Sequence, residues 1–331
     1  MSALGDLLRN RGISAPPADV PTPTQVKRAH APQAGPVIQF EAQAQPRVTI
    51  DAPGIYDISE DAYHADPCPQ ASLSSSIARI LINDSPRHAW NAHPRLNPNW
   101  IQSDRQRHLD LGSLCHALLL EGENKAVVLP YENYRTKTAQ EARDEARANG
   151  KYPVLAHEMP DIHAMMAACR EQIVESEVPD AFTDGKAEQV LIWQEFNGVW
   201  CRARVDWMMS KRPEMQDYKT GAMSMHPTQF SKRIAANGLD VQEAFYRRGF
   251  KAIFGLDPIF RFIAQENFAP FALSVNSLSP SLKTYGEQRV QYAIDTFGKC
   301  SQSGKWPGYP TYVCAAELSP WDERSWREKE K

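Results

Sequence analysis

Cysteine pairing is missing from this chain of 331 residues. Its six cysteines (Cys68, Cys115, Cys169, Cys201, Cys300 and Cys314) are scattered, form no CxxC pair, and in several cases lie within apolar runs. That pattern predicts buried free thiols in a reducing cytosol rather than a disulfide framework. Cys300 and Cys314 alone are close enough in sequence to be considered together for a metal. No apolar run approaches the roughly 20 residues needed to span a bilayer, and no signal peptide is recognisable at the start, so no membrane is expected and the location is expected to be cytoplasmic. Net positive charge is also lacking: 37 Lys and Arg against 40 Asp and Glu leave −3. Any polyanion must therefore be met by a local basic surface. The phosphate loop G-x-x-x-x-G-K-[ST] does not occur, which excludes a nucleotide-driven motor of that type. No internal repeat is present.

Residues 1–50 are rich in Pro, Ala and Gln and carry no sustained apolar period. They cannot bury enough surface to offset their ordering entropy, so a disordered tail is expected there. One domain is expected over 51–331, long enough for a single large core. Serines before Ile77, Ile80 and Leu81 can cap a helix that breaks at Ser85-Pro86. A buried helix is expected over "RHLDLGSLCHALLLEG", and a short strand at "AVVLP". A charged helix, solvated or a mobile arm over substrate, is expected before Asn149-Gly150. An amphipathic helix should run through Ile162, Met165, Met166, Cys169 and Ile173. "EQVLIWQEF" and "VWCRARVDW" flank Asn197-Gly198, a strong hairpin signal. The strand "EMQDYKT" follows, then a helix over about 227–250, a strand pair "IFRFIAQEN" and "FALSVNSL", and a helix over about 282–297. Helices, a central mixed sheet and more helices predict an α/β or α+β domain.

The sheet carries acids where apolar side chains would be expected. Alternation puts Val199, Cys201, Ala203 and Val205 on one face of a strand, with Trp200, Arg202, Arg204 and Asp206 on the other. In the next strand Met215, Asp217 and Lys219 share a face, opposed to Gln216 and Tyr218. If the strands are neighbours, Asp206, Asp217 and Lys219 meet at one end of the sheet. Two close carboxylates repel, by roughly 4 kcal/mol at 4 Å and an effective dielectric of about 20, so a cation must compensate. A hard divalent ion does so directly, and Lys219 could orient an attacking water or stabilise charge on a phosphorane-like transition state. Taken alone, D-x-K also fits a salt-bridge cluster on a solvated face. His116 interrupts the apolar helix one turn after Gly112 and Ser113, as a core histidine or a ligand. Gln242 and Tyr246, four apart, share a helical face, beside the positive charges of Arg247, Arg248 and Lys251.

In order, G-S-x-x-H at 112–116, Glu188, Asp206, D-Y-K at 217–219 and Q-x-x-x-Y at 242–246 resemble the motif series of RecB-type PD-(D/E)xK nucleases. The stretches "GIYDISEDAYHADP", "LSSSIARILINDSPRHAW", "LGSLCHALLLE" and "CRARVDW" resemble the exonuclease VIII (RecE) nuclease domain over roughly residues 53–320. This resemblance implies a restriction-endonuclease-like α/β core with a central mixed sheet flanked by helices. It implies a metal-dependent exodeoxyribonuclease that degrades double-stranded DNA 5′→3′ and leaves 3′ tails for a single-strand annealing recombinase, in a bacterial or phage-infected cell. By position, His116, Asp206, Asp217 and the Tyr218 carbonyl would hold Mg²⁺, or Mn²⁺ as a substitute. Lys219 would serve the attacking water, Glu188 support the site, and Gln242 and Tyr246 position the strand. Imidazole is a poor Mg²⁺ ligand, so His116 either serves a two-ion site that accepts Mn²⁺ or orients a water. Relatives without a motor retain DNA by forming a ring, which makes a homo-oligomer with Arg202, Arg204, Arg247, Arg248 and Lys251 lining the channel an expectation. Ser72–Ser76 with Arg87 is a candidate 5′-phosphate site. Two alternatives stay open: a same-fold nuclease of other polarity or substrate, and an inactive module that binds DNA ends or a recombinase.

Overall fold

The computed structural model describes residues 49–100, 110–120, 122 and 126–329; all but the last two residues of the expected tail lie outside them. In chain order the elements are β1 (Gly54–Tyr56), α1 (Glu60–His64), β2 (Leu73–Ser74), α2 (Ser75–Asn83), α3 (Pro86–Ala92), α4 (Asp110–Leu120), β3 (Ala126–Leu129), α5 (Lys137–Ala148), β4 (Tyr152–Leu155) and α6 (Met159–Glu175). They continue with β5 (Gly185–Gln194), β6 (Trp200–Met209), β7 (Glu214–Gly221), α7 (Pro227–Ile234), α8 (Leu239–Phe254), β8 (Ile259–Glu266), β9 (Leu273–Asn276), α9 (Pro280–Ser303) and α10 (Pro320–Lys329).

Local chemistry sets several of these boundaries. Ser74 caps α2 by accepting from the Ile77 N–H. At Ser85-Pro86 one helix stops and another starts, because Ser85 accepts from the His88 N–H and proline at the first helical position forfeits no hydrogen bond. Gly198, at φ 83°, lies in the turn that closes the β5–β6 hairpin. The single helix expected over 227–250 is two. Gly238, at φ 66° ahead of α8, takes a left-handed conformation that a continuous helix cannot pass through.

β1-β5-β6-β7-β8-β9 form a mixed sheet in that order, with β2 added beside β6; β3 and β4 pair separately. β5, β6 and β7 are antiparallel neighbours, whereas β7 and β8 run parallel. The β7–β8 crossover through α7 and α8 brings α8 across one sheet face. There α2, α8 and α9 close the first core, around Ile77, Leu81, Phe245, Phe250, Ile294 and Phe297. α8 and α9 touch backbone to backbone at Gly286, where a Cβ would overlap the Asp240 carbonyl. A second core joins α4 and α6, through Leu114, Cys115, Ile162, Met165 and Cys169, to Trp207, Met209, Tyr218 and Ile263. The methionine stripe of α6 is core filler. A mixed sheet with helices packed against it is the α/β architecture expected. Among the described residues no helix is long and apolar enough to cross a membrane. Cys68, Cys115, Cys169, Cys201 and Cys300 are buried free thiols and Cys314 is exposed.

Candidate active site and metal centre

The site lies where β6 changes phase. Val199, Cys201, Ala203 and Val205 enter the first core, and Trp200 packs with Val190 and Ile192 in a third cluster. Beyond Asp206 the alternation reverses, with Met208 joining the first core and Trp207 and Met209 the second. The opposite strand breaks at the same level. The β5–β6 ladder passes from Gln189↔Val205 to Ala187↔Trp207 with no pair at Glu188 and Asp206, and Glu188 has φ 57°. A left-handed glutamate costs about 1–2 kcal/mol. The break brings both acids to His116 on α4.

His116 meets both carboxylates: Nε2 lies 3.0 Å from Asp206 Oδ2 and Nδ1 lies 3.4 Å from Glu188 Oε1. Glu188 is also held by Arg204, whose Nε is 2.7 Å from Oε2. The β6–β7 ladder ends at Trp207↔Gln216, so Asp206 and Asp217 are the next residues outward. Asp206 Oδ2 accepts from the Tyr218 N–H at 3.0 Å. Asp217 is almost wholly buried; Oδ1 is ion-paired with Lys219, and Oδ2 accepts from Gln242 Nε2 of α8 at 2.5 Å. Tyr246, one turn on, is buried beside the two aspartates, with the Ser75 side chain near its hydroxyl.

These contacts separate the titrations. Burial drives Asp217 up to about 6, with the Asp206 carboxylate pushing the same way against Lys219. Asp206 is also raised by burial, but His116, Lys219 and the Tyr218 N–H outweigh it and bring it down to about 2. Burial lowers His116, yet Asp206 and Glu188 overcome that and lift it to about 9. Lys219 is raised because Asp217 and Asp206 outweigh its desolvation. Burial, reinforced by Tyr63, Asp217 and Asp206, lifts the Tyr246 hydroxyl well above its ordinary range, which leaves it neutral.

The structure therefore brings together His116, Glu188, Asp206, Asp217, Lys219, Gln242 and Tyr246, with Tyr218 lending its N–H. Glu188 is nearer the centre than a supporting residue would be. Its left-handed backbone leaves no trace in the sequence, although its place in the motif series marked it. The basic residues fare differently. Arg202 is buried, donating to the Tyr63 and Ser72 carbonyls and pairing with Asp66 at 3.2 Å. Arg204 is bound to Glu188 and Glu60. Arg247 pairs with Glu243, Asp257 and Glu287, and Arg248 grips both oxygens of Glu195 at 2.8 and 2.7 Å. Each of these four is engaged by a carboxylate of the chain itself, which a run of charges in sequence does not reveal; Arg202 and Arg247 are buried, whereas 35% of the Arg248 side chain is exposed. Lys251 is exposed. Ser72 is likewise spent internally, bonded to Asp66 and Arg202, and Arg87 lies against Pro307 and Gly308.

A mixed sheet presenting D-x-K on an interior strand, with a helix histidine facing a second aspartate, defines a PD-(D/E)xK-type core. Residues 75–316 match the model of the "PDDEXK-like domain of unknown function (DUF3799)", and the chain belongs to that family. A crystal structure from Eubacterium rectale named "Putative exonuclease" is similar with a TM-score of 0.52 at 11% identity, covering 81% of this chain and 98% of that one. That likeness is one of fold. No curated protein matches the chain.

Members of this superfamily use divalent metals, and the side chains fit one. His116, Glu188 and Asp206 offer ligand atoms that all lie within 4.8 Å of one another. One imidazole with carboxylates suits Mn²⁺ and, through its oxygens, Mg²⁺.

Proposed function

We propose that this protein is a metal-dependent exodeoxyribonuclease of the exonuclease VIII type. It digests double-stranded DNA 5′→3′ with Mg²⁺ or Mn²⁺ and leaves 3′ single-stranded tails for an annealing recombinase. The observation that carries the reading is the join of two groups: the His116–Glu188–Asp206 cluster and, on the adjoining strand, the buried Asp217–Lys219 pair. Like charges concentrated at a broken ladder are costly to folding, and they are intelligible where a substrate phosphate and a cation complete them.

His116, Asp206, Asp217 and the Tyr218 carbonyl, with Glu188 added, would hold the metal. When bound, the ion supplies positive charge against a scissile phosphate and lowers the pKa of a water. Lys219, released from Asp217, orients the attacking water and stabilises charge on the phosphoryl oxygens. Gln242 holds the Asp217 carboxylate in place. The neutral Tyr246 hydroxyl positions the strand, and His116 sheds its proton before it can act as a ligand. Closure of copies into a ring would keep DNA engaged without a motor, with Lys251 a candidate contact in the channel.

The test is digestion of end-labelled duplexes carrying a 5′-phosphate or a 5′-hydroxyl, with Mg²⁺ or with chelator. We expect stepwise release from the 5′-phosphate strand with Mg²⁺ only, and a loss of at least about 10²–10³-fold in Asp217→Ala, with DNA binding retained. Release from 3′ ends or from single strands alone would replace the polarity and substrate. No metal-dependent release by the wild-type protein would leave a binding module.

A further inference from the structure

Two helices meet over the site along facing rows. On α8 and its cap, Gly238, Gln242 and Tyr246 stand four apart and share a face; on α2, Ser75 and Arg79 do the same. The rows are in contact at both ends. The Ser75 side chain lies close enough to the Tyr246 hydroxyl to oppose the rise in its pKa. Arg79 lies across Gly238, where a Cβ would overlap its Cδ, and its Nη1 donates to the Asn237 carbonyl at 2.8 Å. Between these contacts Gln242 reaches Asp217. Arg79 thus flanks the Asp217–Lys219 pair, and its positive charge opposes that of Lys219.

Its bonding sets it apart from the arginines described above. Arg202, Arg204, Arg247 and Arg248 each meet a carboxylate, whereas Arg79 donates to one neutral carbonyl and meets no acid among the described residues. A half-buried guanidinium next to a second cation is repelled unless an anion joins the two, and a phosphodiester matches its fork of donors. We propose that Arg79 binds a backbone phosphate of the substrate strand flanking the scissile one, with Gly238 present so that the side chain can lie close to α8. This rests on the nuclease reading and adds a residue that positions substrate.

The test is duplex binding across a salt series with the metal chelated, so that no strand is cut. Loss of one phosphate contact should make the slope of log K against log salt shallower by about 0.9 in Arg79→Gln. Going from about 50 to about 200 mM salt would then weaken the wild type about threefold more than the variant, while Arg79→Lys keeps the slope. On the wild-type protein, duplex DNA should protect Arg79 from phenylglyoxal. An unchanged slope in folded Arg79→Gln, or equal modification of Arg79 with and without DNA, overturns the proposal; should that variant fail to fold, the protection measurement decides. Adding Mg²⁺ to the wild-type samples tests the nuclease reading separately, because absence of nucleotide release would sink that reading and leave the phosphate contact to be judged by slope and protection.

Discussion

Arg202 and Asp206 stand four residues apart on β6, and each anchors a buried polar cluster, but the two clusters are built differently. Around Arg202 donors and acceptors match. Its guanidinium serves the Tyr63 carbonyl, Ser72 and Asp66, while Asp66 also accepts from the Ser72 N–H and hydroxyl. His93 bonds the Ser72 carbonyl through Nε2 and accepts from the Arg95 N–H at Nδ1. Burial, reinforced by Arg202, lowers its pKa to about 4, so it stays neutral. Around Asp206 three carboxylates crowd one level of the sheet, His116 is lifted to about 9, and Glu188 is held left-handed. The first cluster is closed; in the second the acids are balanced only by Lys219, Arg204 and a protonated His116, with titrations displaced and a strained backbone. What distinguishes a structural polar cluster from a reactive one here is whether its charges are matched without displaced titrations or backbone strain, since burial is common to both.

The sharpest way to break the comparison is to open the closed cluster. Arg202→Ala would strand Asp66 beside a neutral His93, and breaking a buried pair by removing one partner costs about 3–5 kcal/mol. Chemical denaturation should show a loss of that order; a loss below about 1 kcal/mol would mean that the cluster is not closed. The converse applies at the site. Asp217 has a folded pKa of about 6, above its ordinary 3.8, so the stability tied to its proton is full below about 4 and is lost as pH rises through about 6. At pH 8 without divalent ions, Asp217→Asn should therefore be more stable than wild type, by at most about 3 kcal/mol, despite its lost activity. Saturating Mn²⁺ should reverse the order, because binding to the folded state alone stabilises by about 2.7 kcal/mol at a hundred times Kd. Melting in chelator and in Mn²⁺ measures both.

The sequence carried the closed and open clusters unequally. Alternation placed Val199 to Val205 on the core face, and Asn197-Gly198 marked the hairpin, because both signals are local. The D-x-K spacing put Asp217 and Lys219 on one face, where they are ion-paired. The phase reversal at Asp206 was not legible. It depends on Glu188 adopting a positive φ across the ladder, a conformation that no residue type near it announces. Arg202 and Arg204 share a strand face, yet one is sealed by the Tyr63 and Ser72 segment and the other faces Glu188. Spacing assigns a side chain to a face, and only tertiary packing decides what covers that face. The same limit joined α7 and α8 into one helix, although Asn237-Gly238 is itself a turn signal.

Glu243 is the case that would weaken the comparison. Its side chain is fully buried on α8 with Arg247 at 3.5 Å, an ion pair without a hydrogen bond, and both of its oxygens lack hydrogen-bond partners. By the matching criterion it belongs with the open cluster, yet it faces α9 rather than the metal centre. Burial lifts its pKa from 4.5 to about 7, with Arg247 and Lys283 only partly opposing. A folded pKa above the unfolded one means stability that is complete below about 4.5 and declines until about pH 7. The full shift, already net of Arg247 and Lys283, corresponds to about 3 kcal/mol, which is the most by which Glu243→Gln should lead at pH 8. The gap should close toward pH 5, where the wild-type carboxyl is protonated in the fold. Melting both proteins at the two pH values, with DNA digestion measured alongside, separates the possibilities. A pH-dependent gain with digestion unchanged confines the meaning of unmatched charge to clusters that also hold a metal. A collapse of digestion would make the α8–α9 interface part of the working enzyme.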